Sequence, residues 1–168
     1  FHENRKGYHG CVQRDTPFQE STIALAFFTS PRWFRTIRQL ISTASCQCGF
    51  DERTAGQVAM AVDEAICNIH RHGYAGEVGK VTMHVRTTIS PAPNIEIQMY
   101  DEATQVETES IKSRKLDEIR PGGLGVHLIQ TVMDEAVWTK REPCGMSLTM
   151  QKTFSLPHPS KVEAHQND

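Results

Sequence analysis

The stretch DERTAGQVAMAVDEAICNIHRHGY, residues 51–74, decides the fold. Ala55, Val58, Ala59, Val62, Ala65, Ile66 and Ile69 fall on one stripe at helical spacing, Asp51 stands where it can cap the helix, and Gly73 is where it should stop. The opposite side carries Glu64, Asn68 and His72, every fourth residue, as one polar stripe facing away from Val62, Ile66 and Ile69. A solvated helix face reads the same way. The content adds a second reading: a carboxylate one turn from a carboxamide offers a proton acceptor and a neutral oxygen for Mg²⁺, a pair suited to phosphoryl transfer.

Upstream, Ser21 to Phe28 is short, β-branched and aromatic, which predicts a strand ending at Ser30-Pro31, where Ser can cap and Pro can occupy a first helical turn. Trp33, Phe34, Ile37, Leu40, Ile41 and Ala44 then outline an amphipathic helix ending near Gly49. Downstream, Lys80 to Thr88 alternates through Val81, Met83 and Val85, SPAPN turns, and Ile95, Ile97 and Met99 alternate again, predicting an antiparallel hairpin with one buried face. Residues 102–121 have no periodicity, and so long an irregular stretch in a compact domain reads as a lid or binding loop. PGGLG follows at 121–125, then a helix with Leu128, Ile129, Val132 and Met133 inward, then strands at 136–141 and 146–154. Paired helices and hairpin strands predict an α/β two-layer sandwich, with helices on one face of a mixed, largely antiparallel sheet. No GxGxxG follows the first strand and no GxxxxGK[ST] occurs, which excludes the Rossmann and P-loop nucleotide folds on motif grounds.

With 168 residues the chain has room for one domain with tails, expected as a flexible segment 1–20, a domain 21–156 and a polar tail 157–168. Eighteen Lys and Arg against 20 Asp and Glu leave a formal charge of −2, without the basic excess of a nucleic-acid binder. No apolar run approaches the ~18 residues of a membrane span. The start at Phe1, without a signal pattern, reads as a segment of a longer chain. Five cysteines, with Cys46 and Cys48 too close for a CxxC pair, favour a reduced, cytoplasmic setting. His70 and His72 point ~200° apart on a helix and cannot share a metal.

Two further places bear on chemistry. Asp101 ends an apolar strand where the irregular stretch begins; it reads either as a strand-terminating Asp or as an acceptor for an amino group such as adenine N6. The glycines of PGGLG either mark a turn or let backbone N–H groups at a helix start approach a phosphate.

Taken in order, these segments resemble a known family. EAICNIHRHGY at 64–74 is similar to its N-box, YDEA at 100–103 to a reduced G1 box, PGGLGVHLIQTVMDEAVW at 121–138 to its G2 box, and LTMQK at 148–152 to its last strand. The family is the anti-sigma-factor serine/threonine kinases of the GHKL, or Bergerat-fold, ATPases, and the resemblance covers about residues 21–155. It implies ATP with Mg²⁺, capture of a sigma factor, phosphorylation of a serine on a STAS-domain anti-anti-sigma partner, and a homodimer. It makes Glu64 the general base, Asn68 the Mg²⁺ ligand and Asp101 the adenine anchor. Gly122, Gly123, Leu124 and Gly125 become the phosphate loop, and His72, with Gly73 and Tyr74, completes the N-box. Where the family's G1 box reads D-x-G followed by Gly or Pro, this chain has Ala103, Thr104 and Gln105. That departure keeps a second reading open, a partner-switching binding module of the same fold with weak or no kinase activity. The catalytic domain of a sensor histidine kinase shares the fold but predicts an upstream phosphoacceptor hairpin, for which residues 1–20 are too short and polar. A nucleotide-free interaction domain is the remaining alternative.

Overall fold

The computed structural model describes residues 20–108, 111 and 124–154. In chain order these form β1 (Glu20–Phe28), α1 (Pro31–Cys48), α2 (Glu52–Asn68) continued by a π turn (Ile69–Gly73), β2 (Lys80–Thr88), β3 (Asn94–Asp101), α3 (Leu124–Val132), β4 (Glu135–Lys140) and β5 (Met146–Thr153). All but the last residue of the predicted segment 1–20, the predicted tail 157–168, most of the irregular stretch, and Gly122 and Gly123 lie outside the described residues.

The five strands form one sheet in the order β1-β2-β3-β5-β4, every neighbouring pair antiparallel. Alternation explains the register. Val81, Met83 and Val85 of β2 are buried, as are Ile95, Ile97 and Met99 of β3 and Met146, Leu148 and Met150 of β5. Met83 pairs with Met99 and Met99 with Leu148, while Val85 pairs with Ile97 and Ile97 with Met150, so buried side chains line up in rows across the sheet. Against those rows pack Ile37 and Ile41 of α1, Val58, Val62 and Ile66 of α2, and Ile129 of α3. Burying each such side chain stabilises by roughly 1.5–3 kcal/mol. The alanines of α2, Ala55, Ala59, Ala61 and Ala65, are buried as well and let its backbone lie close to its neighbours.

The predicted helix limits hold with three corrections. Asp51 caps α2 as expected, accepting from Thr54 N at 2.9 Å and Thr54 Oγ1 at 2.8 Å. Ser30 occupies the equivalent position before α1 but its side chain makes no capping bond. Its main-chain oxygen instead accepts from Trp33 N at 2.9 Å, and Pro31 starts the helix. Trp33, expected on the inward stripe of α1, is 43 % exposed, with the Arg32 guanidinium 5.2 Å from its ring centroid. The first turn of α1 is thus covered less than the turns that bear on the sheet.

The third correction concerns His72. The helix does reach Gly73, but its last turn widens, with Tyr74 N bonding to Ile69 O at 2.9 Å across five residues. The every-fourth-residue spacing that aligned His72 with Asn68 holds only in an α-helix. His72 is exposed, whereas Glu64 and Asn68 are half-buried.

Candidate active site at the end of helix α2

Glu64 and Asn68 lie on the last two turns of α2, and the start of α3 passes directly over them. A Cβ placed on Gly125 would stand 2.6 Å from Glu64 Oε2 and 3.4 Å from Asn68 Nδ2. A side chain there would have to push the end of the Glu64 side chain aside. Two of the three members of the polar stripe, Glu64 and Asn68, are therefore partly covered rather than fully solvated. They lie against the opening turn of α3, where orphan main-chain N–H groups and the helix dipole favour an anion. Leu124, the first residue of α3, is 71 % exposed.

Asp101, at the end of β3, is only 5 % exposed. Its Oδ1 accepts from Ala103 N at 2.9 Å, as a strand-ending aspartate commonly does, and from Met146 N at 3.0 Å, at the start of the neighbouring strand β5. Among the described residues nothing hydrogen-bonds Oδ2, so one carboxylate oxygen is fixed and the other remains available.

The turn after Asp101 is tied back to the end of α2. Thr104 N donates to Gly73 O at 3.3 Å. Tyr74 Oη donates to Lys80 O at 2.7 Å and accepts from Glu102 N at 3.0 Å. Burial raises the Tyr74 hydroxyl above its ordinary pKa, partly opposed by the Glu102 N–H bond, so it stays protonated and can donate. The tyrosine ring lies where a Cβ on Gly79 would be, so Gly79 is needed for that ring to pack. Asn68 thus lies five positions before Gly73, the point where the end of this helix meets the Asp101 turn.

Ala103 stands where the sequence resemblance expects a glycine. It is buried and is not among the residues with positive φ, so this backbone needs no left-handed conformation. A Cβ on Gly73 would lie 2.8 Å from the Ala103 Cβ, so the missing side chain at 73 makes room for the methyl at 103.

Four participants escaped the sequence reading: Arg141, Gly145, the Met146 main chain and the Tyr74 hydroxyl. Arg141 NH1 donates to Asp101 O at 2.7 Å. Gly145 has φ +84°, and a Cβ there would overlap the Asp101 carbonyl. The only local signal was the REPCG run between two strands, which marks a turn without saying what the turn touches.

Cys67, between Glu64 and Asn68, has its thiol pushed up by burial and by the charge of Asp63, which keeps it protonated and poorly nucleophilic at neutral pH. Cys46, Cys48, Cys67 and Cys144 are all free. Among the described residues no three His, Cys, Asp or Glu side chains are grouped to hold a metal, and no helix is long and apolar enough to cross a membrane.

Residues 27–152 match the histidine kinase-like ATPase domain. The serine-protein kinase RsbW of Listeria monocytogenes serovar 1/2a is 27 % identical over 139 residues, covering 77 % of this chain and 85 % of that protein. The serine-protein kinase RsbW of Staphylococcus aureus is 27 % identical over 144 residues, covering 80 % and 87 %. The crystal structure of the RsbU and RsbW domains of Rv1364c from Mycobacterium tuberculosis shares the fold, with TM-score 0.54 and 16 % identity over 78 % of this chain and 31 % of that one. With an antiparallel sheet backed by helices on one face, and the matched model spanning all but the margins of the described residues, the chain belongs to the histidine kinase-like ATPase family, of Bergerat fold, and is similar to its RsbW-type anti-sigma kinases.

Proposed function

We propose that this protein is an ATP-dependent serine kinase of the anti-sigma type, which holds a sigma factor and phosphorylates a serine on a STAS-domain anti-anti-sigma partner. The functional unit is residues 21–156, and a homodimer belongs to the same reading. The observation that carries it is the closing of Gly125 over Glu64 and Asn68, which sets a carboxylate and a carboxamide beneath an anion-favouring helix start.

The residues fit the nucleotide and its metal. Asp101 Oδ2 accepts from the exocyclic amine of adenine, while Oδ1 stays fixed by its two main-chain donors. In this reading Leu124 and Gly125, at the start of α3, would face the phosphates together with Gly122 and Gly123, which precede them in sequence, and His72 belongs to the same N-box segment as Asn68. Asn68 supplies through its amide oxygen one neutral ligand for Mg²⁺, a cation that commonly takes few protein ligands alongside substrate phosphates and water. Bound there, Mg²⁺ would offset phosphate charge as the transferred group moves. Glu64 takes the proton from the attacking serine hydroxyl, whose oxygen forms the new bond to the γ-phosphorus as the bond to the departing ADP breaks.

Ala103 was the ground for the binding-module reading, and its ordinary backbone and its fit against Gly73 favour the kinase. The test is transfer of labelled phosphate from ATP to a STAS-domain partner. Glu64→Gln keeps the side chain's size but removes its basicity, so ATP and the partner should bind within a few-fold of the parent while transfer falls ~10²- to 10⁴-fold. Unchanged transfer in the variant would remove Glu64 as the base. No transfer by the parent with its cognate partner would return the binding-module reading.

A further inference from the structure

The turn between β4 and β5 reaches across some forty residues of sequence to the segment that follows Asp101, and the proposed reaction makes no use of it. Arg141 donates from NH1 to Asp101 O at 2.7 Å, with its guanidinium 5.3 Å from the Tyr100 ring centroid. Gln105 donates from Nε2 to Arg141 O at 2.5 Å. Arg141 N donates to Gly145 O at 3.0 Å, which closes the turn, and the next residue, Met146, gives its N–H to Asp101 Oδ1. The contacts make a ring: Asp101 to Arg141, Arg141 to Gln105, and Gln105 back along four residues to Asp101.

We propose that Arg141 and Gln105 are positioning residues for the nucleotide, locking the β4–β5 turn onto the Asp101 segment so that the carboxylate is oriented before ATP arrives. This deepens the reading of Asp101 as the adenine anchor and rests on it. One of the two donors that fix Oδ1 is local, and the other belongs to this turn. If the turn drifts, Oδ1 loses the Met146 N–H, and the carboxylate gains freedom to rotate about χ2. Ordering it again on binding costs affinity without removing any contact to the ligand. Where the resemblance has Gly or Pro after the D-x-G, Gln105 imposes the shape of the segment by a side-chain bond to the turn.

The experiment uses the full chain with ATP and Mg²⁺, measuring affinity by calorimetry and thermal unfolding of the nucleotide-free protein. Gln105→Leu and Arg141→Met should each weaken ATP about 5- to 20-fold, the equivalent of one net hydrogen bond. Either substitution opens the ring, so the double variant should be little worse than the weaker single one. Arg141→Lys, which keeps a donor and the cation near Tyr100, should recover part of the loss. Parent affinity in the variants overturns the proposal while leaving the reading of Asp101 intact. So does a strictly additive double variant whose affinity loss tracks its loss of melting temperature, because the contacts then serve only the fold. If the parent itself binds no ATP, both the reading and the proposal fall. Should Arg141→Met not fold, Gln105→Leu on the half-buried loop decides the matter alone.

Discussion

One added methyl, Gly145→Ala, tests how tightly the β4–β5 turn is pressed against the candidate nucleotide anchor. The new Cβ would lie 2.7 Å from the Asp101 carbonyl carbon and 2.9 Å from Glu102 Cα, besides overlapping the Asp101 carbonyl oxygen. All three are main-chain atoms, with no flexible side chain to yield. Comfortable carbon contacts are ~3.5–4.0 Å, so the turn has to retreat by about 1 Å. That takes the Met146 N to Asp101 Oδ1 bond, now 3.0 Å, beyond hydrogen-bonding range. Alanine at φ +84° costs about 1 kcal/mol in backbone conformation. Losing an N–H bond to a carboxylate adds roughly 1.5–3 kcal/mol. The expected total of about 2.5–4 kcal/mol corresponds to a fall in Tm of roughly 5–16 °C for a domain of this size. Gly76→Ala is the control, since Gly76 has φ +87° and nothing within 4 Å of its Cβ position, leaving only the conformational cost of about 1 kcal/mol. Urea or thermal unfolding followed by circular dichroism compares the two. If Gly145→Ala destabilises no more than Gly76→Ala, the close approach, and with it the argument for the turn as a support of Asp101, is refuted.

Asp101→Asn preserves Oδ1 for its two main-chain donors but replaces Oδ2 with a donor, so the nucleotide-free protein should melt near the parent while ATP binding by calorimetry weakens at least tenfold (on the order of 1–3 kcal/mol); equal losses in both would make Asp101 purely structural. Asp51 is held below its ordinary pKa by the Thr54 main-chain N–H, then by the Thr54 hydroxyl. A depressed folded pKa stabilises fully above the unfolded value of ~3.9 and loses that contribution as pH falls through the folded value. The advantage of the parent over Asp51→Asn, read as a Tm difference, should therefore shrink between pH 6 and pH 2.5, and a constant difference would contradict this. Ala75 sits at φ +53°, so Ala75→Gly should relieve left-handed strain and, after the entropy lost to a freer unfolded chain, raise stability by about 0.5 kcal/mol in urea titration; a loss of stability would show that the Ala75 methyl makes a useful contact.

Much of the fold was legible because it is local. The stripe from Ala55 to Ile69, the Asp51 cap, the alternation through Val81, Met83 and Val85 and that through Ile95, Ile97 and Met99 each depend on neighbours within one or two turns or pleats, and each element appears within a residue or two of its predicted limits. Glu64 and Asn68 were legible in the same way, since helical spacing alone places them on one side of α2. The same spacing misplaced His72, because a π turn changes the angular step in a way that residue types do not announce.

What the sequence by itself determined about this protein is therefore its list of elements, their order and, Trp33 apart, the inward faces of the three helices and of β2 and β3, together with the placing of Glu64 and Asn68 on one helix side. Only the tertiary structure decided that β5 lies between β3 and β4, that Gly125 of α3 closes over Glu64, and that Gly145 presses on Asp101 from 44 residues away. A hydrophobic period tells a segment which face to bury, but not which partner will bury it. Pairing between distant strands and the approach of two backbones at glycine positions are settled when the whole sheet and its helices pack at once, and that packing left Asp101 with one oxygen bound and one to offer.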